Sequence, residues 1–597
     1  MSQRLHVKSR LLSHRILVFT VVAMLVLAGV GISNSSAVKS TLSVITGNSE
    51  RAASTKVPGG EITVHAAGRG KPYLNFRDGR SMEVAYQGDS TLTNALQNGA
   101  AQSRSLASAD FNRDGAPELL AGYAVNGGGM IAFHRGNTDA FAPTDDSVFV
   151  RMQQGYNPEP FLQDAAVYGL PVSPDFLVAG TFTRDSEKDV LFAAKGGALY
   201  LMVGDGSGRL GAPQQIDLPG PVTALAAGEF RAADGFTDVA VGVSGPGGES
   251  LLIFDGAEGL SSPLVQYQLS EPASAIELGG LDDDPFMDVA VTAGSEVLVV
   301  HGWGRKEQVV PAAREERIPV ASGLRGLALG EFTWDRQGRS EIAALSADGT
   351  VHIVQNANLD SRPFSGTETV QRTRGNLKHE GITSQDVESF PSWQPGRAAG
   401  WSESSSFSAT SFEGVSSAST KPLLRTNLAY HETDDLMLMG ASQPTLEIMH
   451  PPLASSGKTV SQLSAASTPT STTLNMESAP VAVLTLPKKL NGFTDVVVLE
   501  AASTTPGIIP NAPNTTITVD RTDDPSGAGL TAASACTAAL NDCSLRGALQ
   551  FANLPSNNNT RSVFRQTLTS CPLTALAPAV VTATPWATLE PTKPCRS

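Results

Sequence analysis

A run of alternating oxygen-bearing side chains recurs along this chain, each time followed by an apolar strand, and that repeat leaves few folds open. Its fullest copy is Ala109-Asp110-Phe111-Asn112-Arg113-Asp114-Gly115-Ala116-Pro117-Glu118-Leu119-Leu120. Loop positions one, three, five and nine carry Asp110, Asn112, Asp114 and Glu118. A tight loop turns every second side chain inward, so these groups are expected to converge. An all-oxygen cage of that kind suits calcium, which takes six to eight oxygens in a loose geometry. Gly115 allows the reversal, and the Ala116 carbonyl is a candidate backbone ligand. An EF-hand would need flanking helices and a Glu at position twelve, whereas Ala121 stands there and a strand, Leu119 to Tyr123, follows.

Six further copies keep the frame. Thr181-Phe182-Thr183-Arg184-Asp185 reaches Asp189, Glu229-Phe230 reaches Asp238, and Leu281-Asp282-Asp283-Asp284 reaches Asp288. Glu331-Phe332 reaches Glu341, Asn427-Leu428 reaches Asp435, and Thr485-Leu486 reaches Asp495. Several copies lie roughly 50 residues apart, the spacing of propellers, solenoids and arrays. Between the strands of a copy stand short turns such as Lys195-Gly196-Gly197 and Ser346-Ala347-Asp348-Gly349, a hairpin signature. Runs such as Leu251-Leu252-Ile253-Phe254 and Val297-Leu298-Val299-Val300 are apolar at every position, which predicts sheets covered on both faces.

The repeats resemble the FG-GAP (VCBS-type) blades of integrin α-subunit heads and many bacterial surface proteins, over roughly Ser105 to Glu500. The resemblance implies an all-β fold, a seven-bladed β-propeller with calcium loops on one face. Only the first loop keeps the full ligand pattern. The fourth keeps Asp282, Asp284 and Asp288 with Gly280 in first place, so calcium is expected at the first loop and is a candidate at the fourth. In the remaining copies an Asp that caps its own turn is the simpler reading.

Arg4, Lys8, Arg10 and Arg15 precede an apolar run from Ile16 to Ile32 and then Ser35-Ser36-Ala37. This predicts an export signal over 1–37 cleaved after Ala37, with an uncleaved inner-membrane anchor as the alternative. A leader over 38–58 and a propeller over 59–513 follow. Glu61 to Ala66 is expected as a strand, and Tyr73 to Phe76 with Met82 to Tyr86 as a hairpin about Arg77-Asp78-Gly79-Arg80, these strands either completing the last blade and closing the ring or forming an ordinary edge hairpin. The stretch 360–422, with its Ser/Thr-rich Ser402 to Thr420, and the stretch Thr459 to Thr473 are expected as insertions or loops. The net charge of −15 argues against nucleic-acid partners and anionic membrane surfaces.

After Pro513 the pattern changes. Asn541-Asp542-Cys543-Ser544-Leu545-Arg546-Gly547-Ala548-Leu549-Gln550-Phe551-Ala552-Asn553 resembles the CSLREA segment that opens right-handed parallel β-helices, with Gly547 where that pattern has Glu. Leu545, Ala548, Leu549 and Ala552 at helical spacing predict a short capping helix within 514–554. The Pro-scattered tail over 555–597 gives such a cap nothing to cover, which reads as an incomplete β-helix left by a frameshift or early stop, or as a natural irregular tail. Four Cys occur, all after the propeller, and in an exported chain Cys536–Cys543 is the simple disulfide reading.

No catalytic constellation assembles. His431-Glu432 lacks a second His, Gly204-Asp205-Gly206-Ser207-Gly208 reads as a blade turn, and Trp303, Trp334, Trp393 and Trp401 are sugar-stacking candidates or core and loop aromatics. The expectation is an exported, non-catalytic, calcium-binding propeller for adhesion to an extracellular protein or glycan. The alternative is a polysaccharide lyase or hydrolase with the propeller as an accessory module.

Overall fold

The computed structural model describes 76–153, 156–231, 234–304, 311–333, 339–357, 400–408, 420–428, 433–440, 443–450, 470–487 and 494–511, the strands Glu61–Ile62, Thr515–Val519 and Ser562–Gln566, and a few single residues between them. The export segment with its cleavage site and the His431-Glu432 pair lie outside the described residues. No helix among the described residues is long and apolar enough to cross a membrane.

Among the described residues seven sheets of four or five strands succeed one another along the chain, five of them with all their strands side by side in sequence order. Blade 1 holds Gln102–Ala109, Glu118–Val125, Gly128–Gly136 and Phe161–Leu170; blade 2 holds Phe176–Gly180, Asp189–Ala193, Leu199–Met202 and Gln214–Ile216. Blade 3 holds Val222–Gly228, Asp238–Gly245, Gly248–Phe254 and Val265–Gln268; blade 4 holds Ala273–Gly279, Asp288–Ala293, Glu296–Val300 and Glu315–Pro319. Blade 5 holds Leu324–Gly330, Glu341–Ser346, Thr350–Asn356 and Trp401–Ser408; blade 6 holds Leu423–Thr426, Asp435–Met439, Thr445–His450 and Thr470–Asn475. Blade 7 takes Pro480–Thr485, Val496–Glu500 and Gly507–Ile509 from its own stretch.

The apolar runs explain why these sheets stand face to face. Successive strand side chains point to opposite faces, so a strand apolar at every position is buried twice. In blade 4, Val289 and Val291 pack with Ala240, Leu251 and Ile253 of blade 3, while Ala290 packs with Leu327 and Ile342 of blade 5. A core of this kind fills each junction from blade 1–2 to blade 6–7. Another joins Val497 and Leu499 of blade 7 to Leu119, Ala121 and Tyr123 of blade 1. The junctions close a ring, and the fold is an all-β, seven-bladed propeller.

The N-terminal stretch locks that ring. Gly79–Ser81 is the fourth strand of blade 7, antiparallel to Gly507–Ile509 with Arg80 opposite Ile508, and Glu61–Ile62 pairs outside it. Ala85–Gly88 then joins blade 1, parallel to Phe161–Leu170. Tyr86 Oη donates to the Thr504 carbonyl at 2.9 Å and Ser103 Oγ to the Ser503 carbonyl at 2.6 Å, tying blade 1 back to blade 7. The expected hairpin about Arg77–Arg80 is therefore corrected: its turn is itself a strand, and its second arm crosses to another blade. The helix Ser90–Gln97, capped by Asp89 accepting from the Thr91 and Leu92 amides, leads into the first strand of blade 1.

Two expected loops also prove to be strands in part. Trp401–Ser408 is the outer strand of blade 5 and Thr470–Asn475 that of blade 6. An outermost strand needs backbone pairing on one side and little apolar burial, so a Ser-rich sequence suffices; Ser402 to Ser406 are exposed. Past the ring, Thr515–Val519 pairs in parallel with Ser562–Gln566. Arg546 and Gly547 are helical, and Ser544 Oγ accepts from the Gly547 amide at 3.0 Å as the helix cap; the rest of the expected helix lies outside the described residues.

Candidate metal centre

The acid that opens the second strand of each blade is buried in all seven: Glu118, Asp189, Asp238, Asp288, Glu341, Asp435 and Asp495. In blades 1 to 6 it accepts from the amide of the apolar residue that follows the first strand. Those donors are Phe111, Phe182, Phe230, Leu281, Phe332 and Leu428, at 2.7–3.0 Å. Where it is Asp, its second oxygen reaches the end of the third strand. Gly204, Gly256 and Gly302 donate their amides in blades 2 to 4, and the His450 ring does so in blade 6. In blade 7, Asn511 donates its amide and Lys489 pairs with the carboxylate. One carboxylate thus pins three strands, and the repeated acid is a structural clip before it is anything else. Burial pushes the Asp189, Asp238 and Asp288 carboxyls above the usual range.

Blades 1 and 5 place Glu where the others place Asp, and there the second oxygen is left over. Glu118 Oε2 takes the Phe111 amide, while Oε1 is buried without a hydrogen-bond partner; Glu341 Oε1 is the same. Burial, with the Asp114 and Asp110 charges beside it, raises the Glu118 pKa to about 7. Around Glu118 the first loop is curled on itself. Asp110 accepts from the Asp114 and Gly115 amides at 3.2 and 2.9 Å, Asn112 from the Asp114 amide at 3.0 Å, and Asp114 from the Ala116 amide at 2.9 Å. Gly115 stands at φ +83°, and a Cβ there would meet Ala142 at 2.8 Å, so the turn admits only glycine. The Ala116 carbonyl lies against Gly136 at the end of the third strand. The donors offered are all oxygen, one of them buried and unsatisfied, and this chemistry fits a hard cation such as calcium.

The fourth loop is arranged differently. Asp282 Oδ2 and Asp288 Oδ1 lie 2.9 and 3.3 Å from Nδ1 of His301, and Glu316 Oε2 lies 3.2 Å from its Nε2. Asp284 caps the Phe286 amide at 2.9 Å. Among the described residues, Asp282, Asp288 and His301 are the group whose acid and imidazole donor atoms fall within 4.8 Å of one another. Burial alone would depress the His301 pKa, but the bonds to Asp282, Asp288 and Glu316 outweigh it and hold the ring up to about 11. Sequence reasoning missed His301 and Glu316. The available signal was a His at the end of the third strand, seen again as His134 in blade 1 and His450 in blade 6.

Arginines in the loops, also missed, join neighbouring blades. Arg113 donates to the Ser186 carbonyl and pairs with Glu187, Arg184 donates to the Ala257 carbonyl, and Arg231 donates to the Gly304 carbonyl. Their sequence signature is a basic residue one or two places after the loop Phe. Trp303 is buried edge-on to Phe230, and Trp401 donates to Glu316 at 2.8 Å, so both are used in packing. Trp334 and Trp393 lie outside the described residues. The Gly204–Gly208 run is a turn, with Asp205 accepting from the Ser207 and Arg209 amides. Cys543 is disulfide-bonded; Cys536 lies outside the described residues.

The two faces of the ring differ. On one, the second and third strands of blades 1, 3 and 4 are joined by residues 126–127, 246–247 and 294–295 alone. A hollow of about 290 Å³ on that face, lined by Gly196, Gly197, Ile216, Leu218 and Pro221 among others, offers no acid, base or nucleophile. The opposite face carries the acidic loops and, among the described residues, long connections from third to outer strand such as 137–153, 203–213 and 255–264. The first of these holds the helices Thr138–Phe141 and Asp146–Gln153, with Val150, Tyr156 and nearby Leu162 exposed.

No family model matches the sequence, and no curated protein matches it. Among solved structures, BBS1N in complex with ARL6DN, soaked with mercury, aligns at a TM-score of 0.39 and 10% identity, covering 70% of this chain and 93% of that one. The same complex soaked with lead gives 0.40 and 9% over 70% and 94%. A structure of the Dos1 propeller gives 0.35 and 9% over 68% and 77%. The fold assignment rests on the strand topology itself.

Proposed function

We propose that this chain is an exported binding module, a calcium-stabilised propeller that holds a protein or glycan ligand on its loop-bearing face. The observation that carries the reading is the inequality of the two faces. On one side the hairpins of blades 1, 3 and 4 are two residues long and offer little with which to recognise a partner, whereas long connections such as 137–153 stand on the other. The exposed Val150, Tyr156 and Leu162 on or beside the first connection are apolar groups that a partner would cover. Calcium in the first loop would be held by Asp110, Asn112, Asp114 and Glu118 with the Ala116 carbonyl, fixing the base of that face. The N-terminal segment and the disulfide at Cys543 support export. The parallel pairing of Thr515–Val519 with Ser562–Gln566 supports reading the C-terminal stretch as the start of a β-helix.

The test is a glycan and matrix-protein array probed with the intact chain, with calcium or with chelator, beside a polysaccharide-cleavage assay. Binding that requires calcium and is lost on Tyr156→Asp with Val150→Asp is the expected result. Cleavage of a polysaccharide would replace this reading with the enzymatic one. Binding retained by the double variant and in chelator would remove the face and the ion from the account.

A further inference from the structure

The geometry points to a divalent transition-metal site in blade 4, with Asp282, Asp288 and His301 Nδ1 as ligands and Glu316 orienting the imidazole. Two carboxylate oxygens, of Asp282 and Asp288, converge on His301 Nδ1 at 2.9 and 3.3 Å. A ring nitrogen carries one hydrogen, so it can serve only one of the two oxygens; Asp288 Oδ1 also accepts from the Gly302 amide at 3.1 Å. A cation seated among the three atoms removes the conflict: Nδ1 gives its lone pair, its proton leaves to solvent, and each carboxylate gives one oxygen.

Charge gives the same answer independently. Three carboxyl groups, of Asp282, Asp288 and Glu316, surround one imidazole, and Asp288 and His301 are 0% and 1% exposed. Among the described residues no Lys or Arg pairs with any of the three. Buried charge of one sign is costly unless it is compensated, and a divalent ion compensates it. Blade 6 provides the contrast within the same molecule. His450 occupies the matching place with one carboxylate, Asp435 Oδ1 at 2.8 Å, and one hydroxyl, Thr472 Oγ1 at 3.3 Å; each ring nitrogen has one partner and no ion is called for.

Glu316 completes the arrangement. It accepts from Nε2, the nitrogen turned away from the site, and is itself held by the Trp401 indole N–H at 2.8 Å. A ligating His whose other N–H is fixed by a carboxylate is the usual support of a metal-bound imidazole. A nitrogen ligand beside two carboxylates selects zinc, cobalt or manganese over calcium, which takes oxygen donors. The site is independent of calcium in the first loop.

The intact chain, stripped with chelator and dialysed, would be titrated with Co²⁺ while its visible absorption is followed. One equivalent of Co²⁺ with a nitrogen-and-oxygen ligand spectrum is expected, displaced by Zn²⁺ and not by Ca²⁺, and unchanged in Asp114→Ala. His301→Gln should abolish it. Glu316→Gln, at the more open rim of the site, should weaken it about 10–100-fold. Absence of the spectrum in folded wild-type protein, displacement by Ca²⁺, or an unaltered spectrum in His301→Gln would overturn the proposal. Should His301→Gln not fold, unchanged Co²⁺ affinity in Glu316→Gln overturns it equally.

Discussion

At the scale of single residues, the buried Asp of blades 2, 3, 4 and 6 holds three strands with one carboxylate, and the cost of losing it follows from what it leaves behind. Asp238 accepts from the Phe230, Arg231 and Gly256 amides at 2.8, 3.0 and 2.8 Å. Asp238→Ala would strand these donors in a buried setting, at about 1–3 kcal/mol for each one left unsatisfied. Chemical denaturation should therefore show a loss of roughly 3 kcal/mol or more; a loss under about 1 kcal/mol would show that water takes over the clip. Glu341 offers a pH test, because burial raises its pKa to about 8. In the unfolded chain a Glu ionises near 4.3. Between those values the folded state holds a proton that the unfolded state has lost, so this group's contribution falls as pH rises from about 4.5 to about 8. Glu341→Gln keeps an acceptor for the Phe332 and Thr333 amides but cannot ionise. Melting temperatures across that window should decline less steeply in the variant than in wild type. Parallel profiles would mean that Glu341 is not neutral in the folded protein.

At the scale of elements, the sequence was readable wherever burial writes a pattern. Val289 to Val291 and Leu251 to Phe254 are apolar throughout because both faces of their strands are covered, and that two-sided burial was legible from the pattern alone. The outer strand Trp401–Ser408 was not legible, since a strand exposed along most of its length carries no such pattern. The helix Ser90–Gln97 went unnoticed although Asp89 marks its start. In the candidate metal centre, Asp282 and Asp288 could be read from the loop spacing. His301 and Glu316 could not, because they arrive from the third and outer strands and meet the loop only after the blade has formed. Close approach between blades was likewise invisible. Gly242, in the second strand of blade 3, faces Ala273 of blade 4 so closely that an added Cβ would lie 2.5 Å from the Ala273 methyl and 2.7 Å from Thr223 Oγ1. Gly242→Ala should cost about 1–3 kcal/mol by overpacking, measured by denaturant midpoint at constant slope. An unchanged midpoint would mean that the blades can part at no cost.

For the whole molecule, the order of the strands ties stability to closure. Blade 7 is completed by Gly79–Ser81, and the same segment then crosses to blade 1 through Ala85–Gly88, so the ends of the ring are held by chain far from them in sequence. Deleting Gly59 to Gly88 would leave Gly507–Ile509 as an open strand edge, a template for association with other chains. Aggregated protein, or a broad melt in place of a cooperative one, is the expected outcome in light scattering and calorimetry. A soluble deletion that melts sharply would show that the seven junction cores close the ring unaided.

The proposed role for the propeller depends on the first loop holding calcium at the base of the loop-bearing face, and a calorimetric titration of calcium into the chelator-stripped intact chain addresses this directly. Wild-type protein should bind calcium with a saturable heat that disappears in Asp114→Ala, and should melt later in calcium than in chelator. At calcium a hundredfold above Kd, the added stability is about 2.7 kcal/mol for one site. Asp189→Ala, which breaks a clip in a loop lacking the ligand pattern, should lower stability but leave the calcium-induced shift in place. No heat of binding, together with melting indifferent to chelator, would contradict the account.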